Sequence, residues 1–180
     1  MPLPPRQLTA AIGPVMQLSY IVQDLEEAVR FWAGSMGAGP FFLMEHVAVP
    51  WMSYRGQEVQ VDFSVALGYW HDMQIELVVQ HNEAPSVYRD GQRDGAGGLH
   101  HVCLLTSDMG DARRKLAAAG ADIIQEGRLD DGAFLYADTH GGPGTMVEVL
   151  QAPPALLDLF TSMRNAARDW DGGDPLRKVG

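Results

Sequence analysis

The chain has 180 residues, 46% of them apolar and 20% charged, with a formal net charge of −10. That length supports one compact domain, or two small modules sharing a core. The acid excess and scattered Lys and Arg argue against a nucleic-acid partner, because phosphate binding needs clustered basic residues. No apolar run approaches the ~18 residues of a membrane-spanning helix. Cys103 is the only cysteine, which excludes an internal disulfide and fits a reducing compartment. MPLPPRQLTAAIG reads as no secretory signal, so the cytoplasm is the expected location.

In chain order, GPVMQLSYIV from Gly13 reads as a strand. A helix follows: Asp24 with Glu27 three residues on is a capping signal. Leu25, Ala28, Val29, Trp32 and Met36 then recur at helical spacing, and Gly37 is the stop. PFFLMEHVAV, VQVDFSVALGYW and MQIELVVQ read as strands, with a loop around VPWMSYRGQE. Residues 81–97, HNEAPSVYRDGQRDGAG, read as a linker rich in turn-formers and charge. GLHHVCLLT is then a strand, and Asp108, Ala112, Leu116, Ala119 and Gly120 mark a second capped helix. ADIIQEG, GAFLYADT and GTMVEVLQ supply three more strands. Pro153 and Pro154 open a last helix, with Leu156, Leu157, Phe160, Met163, Ala167 and Trp170 on one stripe. DGGDPLRKVG reads as a frayed tail.

The order strand–helix–strand–strand–strand therefore occurs twice, at 14–80 and 98–151, followed by a helix and tail at 152–180. The first copy is about 12 residues longer, an excess assigned to the loop around VPWMSYRGQE. Strand side chains alternate faces. With Val102 and Leu104 packed on a helix, His101 and Cys103 point the opposite way. Gln17, Glu76, His101 and Glu148 are polar residues inside otherwise apolar first and last strands of the two copies. If the copies close into one curved sheet, the four converge. Phe41, Phe42, Trp51, Tyr54, Phe134 and Tyr136 are candidates for an apolar, substrate-binding wall. His46 is a candidate acid or base at the rim, and Cys103 reads as a small buried residue.

GGLHHVCLLTSDM, GTMVEVLQ and their echoes GPVMQLSYIVQDL and IELVVQ resemble the vicinal oxygen chelate superfamily, in its glyoxalase I and methylmalonyl-CoA epimerase branch. The resemblance spans roughly Pro14 to Gln151. It implies an α+β fold, with two tandem βαβββ modules forming one cup-shaped mixed sheet, plus the C-terminal helix. It also implies a divalent metal (Mg, Mn, Co, Ni, Fe(II) or Zn) held by Gln17, Glu76, His101 and Glu148. Relatives usually carry histidine where Gln17 stands. An amide oxygen is a neutral, weaker ligand, so two readings remain: Gln17 is a substituted ligand, or the metal site has decayed. With metal, the expected chemistry is isomerisation, epimerisation or lyase chemistry through a metal-stabilised enolate, on a bulky, mostly apolar carbonyl compound. Glu148 is the expected base. A non-catalytic sequestration protein of the bleomycin-resistance type is the alternative. An extradiol dioxygenase ranks last, because Gln17 removes a required histidine. A homodimer with a small-molecule substrate is expected.

Overall fold

The computed structural model describes residues 11–92 and 97–179. The first ten residues, where a leader was sought, and residues 93–96 of the linker lie outside the described residues. The first half runs β1 (Val15–Ile21), α1 (Leu25–Met36), β2 (Phe41–Met44), β3 (Trp51–Tyr54), β4 (Gln57–Glu58), β5 (Phe63–Trp70) and β6 (Met73–Gln80). A short helix, α2 (Val87–Gly91), leads to the second half. This comprises β7 (Gly98–Leu105), α3 (Met109–Ala119), β8 (Asp122–Leu129), β9 (Gly132–Asp138) and β10 (Met146–Gln151). Helix α4 (Pro154–Arg168) and β11 (Leu176–Lys178) complete the chain.

Both crossover helices start and stop where their residues dictate. Asp24 accepts the Glu27 amide at 2.9 Å and Asp108 accepts the Asp111 amide at 2.8 Å, each satisfying an amide that helix geometry leaves without a partner. Each helix ends on a left-handed glycine, Gly37 or Gly120. Val29 and Trp32 bury against Ile75 and Leu77, and Ala112 and Leu116 against Leu104 and Val149.

The strands form one mixed sheet in the order β11-β2-β5-β6-β1-β7-β10-β9-β8-β3-β4. At its centre β1 and β7 run antiparallel, and each lies parallel to the last strand of its own half. The register obeys the internal repeat: Gln17 faces Cys103 and Ser19 faces His101. Those two pairings exchange when one half is laid on the other. Helices α1 and α3 cover one face of the sheet. The other face curves into a cup, and α4 lies against it through Phe160 and Met163.

Two segments differ from the sequence expectation, and for one reason. Without a further strand, β2 and β8 would each leave a row of backbone groups without a partner. The extra residues of the first half are not a free loop; they form β3, which crosses to pair with β8 of the other half. The tail is not frayed; Leu176–Lys178 pairs in parallel with β2. No helix among the described residues is long and apolar enough to cross a membrane.

On each side of the sheet a phenylalanine ring lies across a neighbouring strand's glycine. Phe41 covers Gly68, and Phe134 covers Gly127. A Cβ built at Gly127 falls 2.1 Å from the Phe134 ring, and one at Gly68 falls 2.8 Å from Phe41. Both alanine substitutions should therefore cost about 1–3 kcal/mol through overpacking, measurable by urea unfolding. Gly127→Ala alone should also disturb the cup, because Phe134 lines it.

Candidate functional site

The central pairing carries the site. Ser19 of β1 sits between Glu76 of β6 and His101 of β7 in register, and Cys103 of β7 faces Glu148 of β10. His101 Nε2 lies 3.1 Å from Glu148 Oε2 and 3.4 Å from Glu76 Oε2. Ser19 donates its hydroxyl to Glu76 at 2.6 Å, which holds that carboxylate in place. Gln17 lies on the same face: its amide nitrogen donates to Gln74 at 2.7 Å, and Gln74 donates onward to the Tyr69 hydroxyl at 3.2 Å.

His100 sets the tautomer of its neighbour. Its Nε2 lies 3.0 Å from the Val87 carbonyl, which only accepts, so that nitrogen carries the proton. Its Nδ1 is then an acceptor, 2.9 Å from His101 Nδ1, which must donate. His101 Nε2 is thereby aimed at the carboxylates. Burial, followed by the neighbouring His101, pushes the His100 pKa down to about 3, so it stays neutral. Burial also opposes charge on His101, but the bonds from Glu148 and Glu76 outweigh it and raise the pKa to about 9. The metal-free site thus holds an imidazolium between two carboxylates. Cys103 is fully buried, and burial followed by the carboxylate charges pushes its thiol pKa well up, so it is no thiolate.

Of these residues, Gln17, Glu76 and Glu148 line an apolar cavity of about 220 Å³, with His101 buried behind the two carboxylates. Phe134 and Tyr136 line it, as their sequence positions suggested. The other four wall candidates do not. Phe41 faces the opposite side, under α1, because β2 pairs Phe42 rather than Phe41 with the cup-facing Leu67. Phe42 packs at the edge of the cup-side cluster, 5.9 Å from the Arg177 guanidinium. Trp51 lies in a separate groove with Arg128 over its ring, and Tyr54 is held by Asp90 at 2.5 Å. Both moved when the loop became a strand on β8. His46 points away from the cup. Tyr88, read as linker, lines the cavity and meets the Tyr136 hydroxyl at 2.9 Å. Leu156 and Phe160 of α4 complete the wall. The helical stripe of α4 signalled burial, though not against what.

The donor set fits a divalent cation. Candidate ligand atoms of Glu76, His101 and Glu148 lie within 4.8 Å of one another. Gln17 is 3% exposed and lines the cavity, and with its nitrogen committed to Gln74 its carbonyl oxygen is buried without a partner. A buried acceptor left unpaired costs about 1–3 kcal/mol, a cost that coordination would remove. Three oxygens and one imidazole nitrogen suit a hard or borderline cation with open positions rather than a closed structural zinc site.

The fold is that of known proteins. A methylmalonyl-CoA epimerase from Mycobacterium tuberculosis superposes with a TM-score of 0.56 at 16% identity, over 82% of this chain and 93% of that one. A hypothetical protein from Bacillus halodurans gives 0.55 at 14%, over 77% and 94%. In sequence, the chain is 27% identical over 132 residues to the ethylmalonyl-CoA/methylmalonyl-CoA epimerase of Cereibacter sphaeroides, covering 73% of this chain and 85% of that protein. Residues 16–136 match the glyoxalase/bleomycin resistance protein/dioxygenase superfamily, and the chain belongs to that superfamily.

Proposed function

We propose that the protein is a divalent-cation-dependent isomerase or epimerase. It would move a proton on the carbon beside a carbonyl of a bulky, mostly apolar substrate. The observation that carries this reading is the convergence of Glu76, His101 and Glu148, with Glu76 and Glu148 lining an apolar cavity that Gln17 also lines. Gln17, Glu76, His101 and Glu148 would hold the cation. When bound, it supplies Lewis-acid stabilisation of the negative charge that develops on a carbonyl oxygen. The chain does the rest. Valine, leucine and phenylalanine side chains exclude water from the substrate's apolar part. Glu76 is tied by Ser19, whereas Glu148 rests against His101 and is the better placed to take the proton. An acyl-CoA thioester, with only its apolar acyl part in the cavity and its charged coenzyme outside, is the first substrate class to try: its α-carbon is acidic, and two of the similar proteins are named as epimerases of such thioesters.

Metal analysis of protein purified without tag or chelator tests the first part. Wild type should hold one more divalent ion per chain than a His101→Ala/Glu148→Ala double variant. Equal metal in the two, even after exposure to Mn, Co, Ni, Fe(II) and Zn, would leave only a binding pocket or a metal-free acid–base site. Exchange of the α-hydrogen of acyl-CoA thioesters with deuterated water tests the second. Glu148→Gln should slow it by at least about 100-fold; unchanged exchange would remove Glu148 from the role.

The two histidines also give the metal-free protein a pH signature. The raised His101 pKa contributes stability that is full below its unfolded value near 6.5 and is lost as pH climbs towards 9. The lowered His100 pKa contributes above about 6.5 and is lost as pH falls towards 3. Urea midpoints for metal-free protein should therefore peak near neutrality. His101→Gln should flatten the alkaline limb and shrink the acid limb only by the part that His101 contributes, leaving the larger part due to burial.

A further inference from the structure

On the face of the sheet opposite the cup, three strand ends bring His46, Asp62 and His81 together. We propose that these residues form a second divalent-cation site, taking a borderline metal such as Zn(II), independent of the one in the cup. Their candidate ligand atoms lie within 4.8 Å of one another. His46 Nδ1 is 2.7 Å from Asp62 Oδ1, and the two imidazole rings are 4.8 Å apart. Two imidazoles and one carboxylate are a donor set for such metals, with room for water. Bound ligands sit about 2.0–2.2 Å from zinc. Small rotations of side chains at the surface close the remaining gap.

The cluster is held as a unit. The Ser64 hydroxyl oxygen is buried between the histidines: it accepts the His46 backbone amide at 3.0 Å and lies 2.7 Å from His81 Nε2. The backbone amide of His81 in turn donates to the Asp62 carbonyl at 2.8 Å. His46 adopts a left-handed backbone, φ 48°, which glycine and asparagine enter more readily than histidine. Such a conformation persists where the surroundings impose it, and it clusters at ligand sites. The carboxyl of Glu45 is held below the usual range chiefly by Lys178, 2.7 Å away, and to a lesser degree by His46 and His81, which places it near the cluster.

The position gives the site a role. Residues 46 and 62 are the two ends of the excursion that leaves β2, contributes Val47 and Val49 to the cup, pairs β3 with β8 and returns to β5. A cation shared by His46, Asp62 and His81 clasps the neck of that excursion from outside. It fixes the cup wall without touching the cup.

Zinc titration of the tag-free, chelator-stripped full chain, with bound metal counted after equilibrium dialysis, tests this. Wild type should bind one more zinc per chain than a His46→Asn/His81→Gln variant. That zinc should remain in His101→Ala/Glu148→Ala, so failure of the cup site and failure of this one read out separately. Asparagine keeps the left-handed backbone accessible, so the metal-free variant should melt within a few degrees of wild type. Its zinc-dependent rise in melting temperature, roughly 5–10 °C at zinc about 100 times the Kd, should shrink. Asp62→Ala, which removes the carboxylate and leaves no ligand in its place, carries the same count should the double variant not fold. A zinc count equal to wild type in these variants would overturn the proposal.

Discussion

The antiparallel pairing of β1 with β7 is the constraint on which the rest depends. Each strand is the first of its half, and each is parallel to the last strand of that half. Joining the two first strands therefore sets four functional strands side by side, β6-β1-β7-β10. Their period-two alternation then decides everything polar at once. A slip of one residue would turn Gln17, Ser19 and His101 to the helix face and leave Leu18 and Val102 in the cup. The apolar contacts under α1 and α3 oppose that slip, so core packing far from the site specifies the site.

The electrostatics follow from that enforced proximity. Two carboxylates and an imidazole are crowded at the end of an apolar cavity, where an isolated charge is expensive. Without metal the best available arrangement is an imidazolium shared by both acids, which is why the raised His101 pKa survives full burial. That arrangement leaves the Gln17 oxygen without a partner. A divalent cation would displace the proton and satisfy all four groups. The same crowding that destabilises the metal-free site would therefore drive binding.

Much of this was legible in the sequence. The repeat and both capped helices follow from alternation, capping and spacing, all local signals, whereas the closing of the two halves into one sheet, which brings Glu76, His101 and Glu148 together, was implied by the family resemblance. What stayed hidden depends on partners distant in the chain. Nothing within VPWMSYRGQE says that its backbone will complete the edge of β8, so Trp51 and Tyr54 were assigned to the wrong surface. Phe41 and Phe42 are adjacent, and only the pairing of β2 with β5 says which faces the helix. Tyr88 lies in a stretch whose composition spoke for a linker. Its burial arises from contacts with Phe63 and Tyr136 in both halves.

The asymmetry between the halves also has a physical basis. In the second half the donor is imidazole, and its Nε2 faces the cup because Nδ1–H is taken up by His100, the residue just before it. In the first half the corresponding position before Gln17 is Met16, which offers no such acceptor. An imidazole at position 17 would lack that orienting partner. An amide solves the problem differently: Gln74 engages its nitrogen, Tyr69 steadies Gln74, and the carbonyl oxygen is left without a partner. The residue equivalent to Gln74 in the second half is Met146, where no such hold is needed. Glutamine at 17 and glutamine at 74 therefore act as a pair, doing for the first half what the His100–His101 doublet does for the second. On the proposed reading, these surroundings would let an amide stand where relatives carry histidine.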